Sequence, residues 1–470
     1  MAAGAPTPMT GTAVATLAAF AARVAEDPGE AVLADARLRL LDVVGISVAA
    51  LGTEPAHVAH ELVQQWGGAP YAGAVGLRDR LPAPSAALVN GTLAHALDFD
   101  DTHVPSILHP SASVVPAALA AAEQSGASGR RLLAAIAVGN EIAIRLGNAG
   151  YEPAINNSVF FERGLHATSI CGAVGAAAAA GTALGLAEVQ IAHAMAIACS
   201  MGAGLLEANR AGGSVKRLHC GWAAHSGVVA AQAAAAGLTG PPTVLEGRFG
   251  FFQAYCGDTY DATALLGQLG ERWETAACFM KPYPTNVFTH TGIDAALALR
   301  ERGLKPQDVA SVRIGVAGAT LRTIAQPREA KIRPESGYHA QFSGPFTFAL
   351  ALRGGGGLGV YLDDFTDDAV SDPVNLEVAS RVTHESDPRC EQIFPMHFPS
   401  IVRVTTKDGH DLVEEVLANR GTAQRPLSTA DVELKYSLNA RRLGADADVL
   451  AERLLAVGSR ADVRGLLDLG

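Results

Sequence analysis

From residue 10 to about 255, apolar residues recur at spacings of three and four, carried mostly by Ala, Leu, Val and Ile. That period is the mark of packed helices, and it predicts them over 12–26, 30–51, 86–96, 129–149, 166–185, 187–208 and 219–237. Asp27-Pro28-Gly29, Gly67-Gly68-Ala69-Pro70 and Gly240-Pro241-Pro242 supply the breaks. Small residues abound throughout this part, so its helices are expected to pack closely.

From about 280 the pattern changes. VASVRIGVAGAT (309–320) alternates β-branched residues and predicts a strand. SIVRVTTKDGHDLVEEV (400–416) reads as a hairpin with Lys407, Asp408 and Gly409 at its turn. Helical stretches at 341–352 and 366–371 lie between them. Helix returns near 427, where Ser428 and Asp431 have the spacing of a capping box. The expected architecture is mainly α with an α+β insertion. It comprises a large all-helical domain (1–276), a smaller α+β lid domain (277–415) and a C-terminal return to the helical domain (416–470). No repeat of fixed period is present.

Composition narrows the function classes. The chain has 470 residues, of which 49% are hydrophobic and 18% charged, enough for a large buried core in two or three domains. Net charge is −11 with no basic run, so nucleic acid and anionic membranes are poor partners. An anionic ligand would have to be met by local cations. Cys171, Cys199, Cys220, Cys256, Cys278 and Cys390 include no C-x-x-C pair, which leaves a zinc ribbon or iron–sulfur cluster without its spacing. They read as reduced thiols of a cytoplasmic protein. The first 25 residues lack the Lys/Arg n-region of a secretory leader. Stretches such as 172–184 are too Gly-rich and too weakly apolar for a membrane span.

Against this apolar background four stretches concentrate chemistry. In LDFDDTHVPSILHPSASVVPAAL (97–119), Asp98, Asp100, Asp101 and His103 crowd together and His109 follows. A helix continuing through this point would put Asp98 one turn from His95, Asp101 and Thr102. Pro105 and Pro110 would then leave His103 and His109 on a loop, a common address for catalytic groups. In RGLHATSICGAVGAAAAAG (163–181), His166 stands at a helix start, where backbone N–H groups favour an anion. In ANRAGGSVKRLHCGWAAHSG (208–227), Gly212, Gly213 and Ser214 lead Lys216 and Arg217 into a helix carrying His219. Two cations there oppose the helix dipole but would clamp a carboxylate or phosphate. The P-loop order of residues is absent. In FMKPYPTNVFTHTGIDAALAL (279–299), Pro282 and Pro284 stiffen the backbone that carries Lys281 and Tyr283, ahead of a helix starting near Thr289 or Thr291. This stretch marks the change from helical to α+β character, and ligand sites favour such seams.

Taken together, GTLAHALDFDDTH…HPSAS, GLHATS…GAVGAAAAAG, GGSVKRLHCGWAAHSG, KPYPTNVFTHTGIDA, AQFSGPFTFALAL and the closing RPLSTADVELKY resemble the MmgE/PrpD family over nearly the whole chain. The resemblance implies a homodimer of two-domain subunits and enzymes that need no cofactor or metal. It implies small di- and tricarboxylate substrates, with 2-methylcitrate dehydratase, cis-aconitate decarboxylase and iminodisuccinate epimerase among the activities. Carried over residue by residue, it points to Asp98 with Thr102 beside it, His109, His166, Lys216 and Lys281. The decarboxylase members have a histidine shortly after the second lysine. Here that position is Asn286, with His290 four residues further on.

The family reactions pass through or near a carbanion beside a carboxylate. Preorganised cations and N–H donors lower the cost of that charge. Lys216, Lys281 and the helix start at 166 are suited to supply them, with Arg217, Ser214 and Tyr283 as further substrate contacts. His109 and His166 are the acid–base candidates, and Asp98 the residue that orients one of them. The primary expectation is a lyase of the 2-methylcitrate dehydratase kind, with iminodisuccinate-type epimerisation or cis-aconitate decarboxylation as alternatives. Outside this class stand a metal-dependent hydrolase built on Asp98, Asp101, His103 and His109, and a non-catalytic binder of small acids.

Overall fold

The computed structural model describes residues 9–257 and 259–469. Residues 1–8, part of the stretch read against a secretory leader, lie outside the described residues. The chain folds as two compact units: the described residues of Met1–Cys278 with those of Tyr436–Gly470, and Phe279–Lys435.

The first unit is helical. Its principal helices are α1 (Ala13–Glu26), α2 (Glu30–Ala49), α3 (Ala83–His95), α4 (Ser111–Ser125), α5 (Gly129–Ala149), α6 (Ala167–Leu184), α7 (Glu188–Ala198) and α8 (His219–Ala235). Local chemistry sets their ends. Thr12 accepts a hydrogen bond from the Ala15 N–H at the start of α1, and Ser128 accepts one from Arg131 at the start of α5. Gly126 and Gly185 take left-handed conformations after α4 and α6.

Glycine and alanine let these helices touch backbone to backbone. A Cβ on Gly221 of α8 would lie 2.2 Å from Thr92 Oγ1 and 2.3 Å from Leu88 O of α3. A Cβ on Gly175 of α6 would lie 2.5 Å from Gly139 O of α5. Helices α5 and α6 are long and apolar enough to cross a membrane by length and composition, but 94% of each span is buried inside the protein. Their apolar surface is spent on packing within this unit.

One difference from the expected helices shapes the site. The helix expected over 187–208 ends at Ala198. The chain then runs as an irregular strip past the start of α6. A Cβ on Gly202 would sit 2.9 Å from Ile170 O, and one on Gly204 would sit 3.0 Å from the Cβ of His166. Gly204 O also accepts the His166 N–H at 3.0 Å. A continued helix would forfeit this close run.

The segment from Tyr436 onward belongs to the first unit. Tyr436 packs on Gly45 of α2. Further on, Gly465 and Leu466 donate their N–H groups to one oxygen of buried Glu123, while Gly73 donates to the other.

The second unit holds a four-stranded mixed sheet of β1 (Val309–Val316), β2 (Val382–Ser386), β3 (Ser400–Thr406) and β4 (Asp411–Val416), in the order β2-β1-β3-β4. Strands β1 and β2 run parallel, with Val312 opposite Val382; β1 and β3, and β3 and β4, run antiparallel. Helices α9 (His290–Glu301) and α10 (Gly344–Arg353) share its core with Ile293, Val312, Ile314, Phe346, Phe348 and Val402. The mainly-α class with some β structure therefore holds. The return to the first unit comes at Tyr436 and not at 416. Polar anchors explain the later point: Asn419 bonds Val287 O and the Phe398 N–H, and Arg425 bonds Asp294 and Ala418 O, all within the second unit.

Candidate active site

The first unit gathers four imidazoles. His95 is the last residue of α3, His109 follows a tight loop, His166 caps the start of α6 and His219 opens α8. The His95 ring lies 5.4 Å from that of His109 and 5.6 Å from that of His166, centroid to centroid. His166 and His219 are 5.1 Å apart, with their Nδ1 atoms at 2.9 Å. His95, His166 and His219 are buried, and His109 is half-buried.

The expected continuous helix through Asp98 and Thr102 does not form. Helix α3 stops at His95, and Asp98 takes a left-handed conformation with φ of 53°. Asp is one of the few non-glycine types that enter that region readily. The turn brings Asp100 onto His95, where it accepts from Nδ1 at 2.7 Å. Asp98 itself is half-buried beside this turn.

Asp101 is consumed by structure. Arg39, itself 2% exposed, donates to Asp101 Oδ2 at 2.8 Å and also to Asp35 and the carbonyls of Thr275 and Cys278. Ser111 completes the set with its N–H at 3.1 Å and hydroxyl at 2.6 Å. His103 turns to Ser106 at 2.7 Å, and burial, then the Arg39 charge, pushes its imidazolium pKa down to about 3. Of the proposed metal ligands, Asp101 and His103 thus have separate partners. Among the described residues no three His, Cys, Asp or Glu side chains come together as a metal-binding group.

His109 Nδ1 lies 2.7 Å from the Asp101 carbonyl and 3.3 Å from Thr102 Oγ1, and its N–H donates to Thr168 Oγ1 at 3.2 Å. A carbonyl can only accept, so Nδ1 carries the proton and the lone pair of neutral His109 is on Nε2. Lys216 precedes α8 in a single 3₁₀ turn (Val215–Leu218), close enough to act electrostatically on His166 and His219. Burial lowers the His166 pKa well below the ordinary value, and Lys216, His95, His219 and His109 add to the effect. Burial, then His95 and Lys216, brings His219 to about 4. Both imidazoles are therefore neutral at pH 7. Ser214 is exposed and bonds Glu54 at 3.2 Å, and Arg217 is half-buried.

The other sequence candidates lie in the second unit. Lys281 is 1% exposed. Tyr283 is fully buried and donates to Asp294 Oδ1 at 2.6 Å, and Asp294 in turn receives Arg425 at 2.6 Å. Burial and the Asp294 charge hold the Tyr283 phenol above its ordinary pKa. Asn286 caps a short turn by accepting the Phe288 N–H at 3.1 Å. His290 is buried against Tyr283, with Nε2 at 3.2 Å from Thr285 O. His95, Asp100 and His219 were not selected from sequence as site residues. The signal for all three was adjacency to residues that were.

The MmgE/PrpD N-terminal domain matches residues 15–263, and the MmgE/PrpD C-terminal domain matches residues 283–457. Over 417 residues the chain is 32% identical to a cis-aconitate decarboxylase of Homo sapiens, covering 86% of this chain and 82% of that protein. The corresponding enzyme of Mus musculus is 30% identical over 411 residues, covering 86% and 81%. A cis-aconitate decarboxylase of Aspergillus terreus is 27% identical over 413 residues, covering 84% and 82%.

Proposed function

Because this chain belongs to the MmgE/PrpD family, we propose that it is a lyase that removes CO₂ from a small tricarboxylate of the cis-aconitate class without a cofactor. The observation that carries the chemistry is the cluster of His95, His109, His166 and His219 with Lys216 beside it, at the start of α6. Similarity to the decarboxylases over about four-fifths of their length favours this reaction over the dehydratase-like reading taken first from sequence.

Loss of CO₂ from the methylene carbon of cis-aconitate leaves an electron pair that moves into a new C=C bond. The former alkene carbon, next to a carboxylate, becomes the carbanion and takes one proton. Two demands follow: positive charge at the carboxylates, and an acid at that carbon. Lys216 and the N–H groups of the first turn of α6 are suited to the first. Lys281 is proposed as a second cation on the family resemblance alone.

His166 is proposed as the acid. It is neutral through burial and through its cationic and imidazole neighbours. A bound polyanion reverses the sign of that field and favours the imidazolium. Substrate binding thereby loads the acid. His109, with Nδ1 held by Asp101 O and its lone pair on Nε2, is the proposed base for any step that removes a proton.

The test is proton NMR in deuterated buffer with cis-aconitate, 2-methylcitrate, citrate and iminodisuccinate offered separately. The expected result is new vinylidene protons from cis-aconitate and one deuterium in the adjacent methylene. Water loss from 2-methylcitrate with cis-aconitate untouched would return the chain to the dehydratase reading. Deuterium entering iminodisuccinate alone would make it an epimerase. Asn286, standing where decarboxylase members carry a histidine, makes this comparison worth running on all four acids.

A further inference from the structure

We propose that His219 is the positioning residue for His166: the two rings hold a single proton between their Nδ1 atoms, so that His166 gains and loses its reactive proton only at Nε2. This rests on the reading of His166 as the acid. The geometry is an Nδ1–Nδ1 separation of 2.9 Å between two buried rings. Two facing imidazole nitrogens at that distance require one donor and one acceptor, so one proton lies between them.

Both residues are anchored through their backbones. The His219 carbonyl accepts from Ser169 Oγ at 3.1 Å, and the His166 N–H donates to Gly204 O. Gly204 passes so near that a Cβ there would lie 3.0 Å from the His166 Cβ and 3.3 Å from His219 Nδ1. The groups that face the pair are Lys216 before α8, His95 of α3 with its partner Asp100, and His109 of the loop before α4.

Proton accounting follows. The neutral pair has two protons, the shared one and one on an Nε2. Binding a polyanion brings in one more, and both Nε2 atoms are then protonated. His166 gives its Nε2 proton to the carbanion, and the pair returns to neutral with the shared proton on His166 Nδ1 and the other on His219 Nε2. One solvent proton reloads His166 for each CO₂ released, and neither ring has to turn over. Without an acceptor at position 219, the His166 imidazolium would hold a buried, unsatisfied N–H, and the acid would be harder to load.

The experiment compares the full-length wild type with His219→Phe, which keeps ring volume without an acceptor, and His219→Asn, which restores an acceptor that does not titrate. Two readouts are used. In ¹⁵N-histidine NMR of the unliganded protein, the shared proton should give a strongly downfield Nδ1–H signal that vanishes in His166→Gln and in His219→Phe. In kinetics with cis-aconitate, His219→Phe should lower kcat by roughly 10–100-fold, with KM within about threefold, and move the high-pH limb of kcat to lower pH by about one unit. His219→Asn should regain part of the kcat. A purely structural role would lower the folded fraction and leave the pH limb in place; that result, or no downfield proton common to the two histidines, overturns the proposal. If the wild type itself does not decarboxylate cis-aconitate, the functional reading fails, and the NMR signal alone decides the pairing of the two rings.

Discussion

Both units bury titratable side chains, and they treat them in opposite ways. In the second unit Tyr283, Asp294 and Arg425 form a closed chain: the phenol donates to one carboxylate oxygen and the guanidinium to the other. Opposite charges balance and donors meet acceptors. In the first unit the carboxylates are paired off early, Asp101 with Arg39 and Asp100 with His95. What remains is His166 and His219 next to Lys216, held neutral by burial and by the neighbouring cation and imidazoles. A satisfied network adds rigidity; a set of like groups waiting for an anion stores the capacity to change protonation. The difference teaches that burial alone does not mark a site. The sign and completeness of the pairing do.

The comparison breaks most visibly at His166. His166→Gln should lower kcat by roughly 10²–10⁴-fold with an unchanged melting temperature, since glutamine keeps size and hydrogen bonding but moves no proton. A lower melting temperature with normal activity per folded molecule would place His166 with the structural groups.

Asp294→Ala should do the reverse. It strips Tyr283 and Arg425 of their shared acceptor, and breaking a buried pair costs about 3–5 kcal/mol; the outer side of this pair is partly exposed, which places the loss at the low end. Chemical denaturation measures it. A loss below about 1 kcal/mol would mean that the closed chain is not a lock.

Acid sharpens the contrast further. His103 is 1% exposed and its folded pKa lies near 3, below the ordinary value of 6.5. The unfolded chain therefore takes up protons first as pH falls, and stability is lost on going down from about 6.5. Between pH 7.5 and 5 that loss should be about 2 kcal/mol from His103 alone, with His166 and His219 acting in the same direction. A urea midpoint that stays level across that range would contradict the neutral imidazoles.

Lys216→Ala removes a cation from the anion site and should cost about 1.5–3 kcal/mol in kcat/KM. It should also raise the pKa of His166 and His219, because their neighbouring positive charge is gone. Unchanged kcat/KM would remove Lys216 from the site. The smallest effect is expected for Tyr283→Phe, about 1 kcal/mol of stability, since Arg425 still satisfies Asp294. A large loss of turnover with stability intact would move Tyr283 from the lock to the chemistry.

Periodicity carried the helices of the first unit because their apolar spacing is local information. The span expected over 129–149 and the helix found there coincide. Two kinds of fact were beyond its reach. Helix α7 ends at Ala198 because Gly202 and Gly204 must run against α6, a tertiary demand with no period of its own. Strand β2 escaped notice because Val382–Ser386 is short and half exposed, and it pairs in parallel with a strand some seventy residues earlier. At the site, residue types pointed to the right stretches. They did not assign partners, since the left-handed turn at Asp98 rotates Asp100 onto His95. His219 was visible only as a neighbour of Lys216; its nearness to His166 arises from the crossing of α6 and α8.

The buried carboxylate of Glu123 bears on how the polypeptide is made. Two of its three N–H donors among the described residues, Gly465 and Leu466, lie 342 and 343 residues downstream. At a ribosomal pace of roughly 10 residues per second, that interval is on the order of half a minute. Through it the second unit can emerge and fold while Glu123 of the first still lacks these two donors; in the complete fold burial raises its pKa. Nascent chains of this protein should accordingly stay sensitive to protease in the helical part until Gly465 and Leu466 have emerged. Pulse-chase proteolysis of stalled ribosome complexes would time that closure.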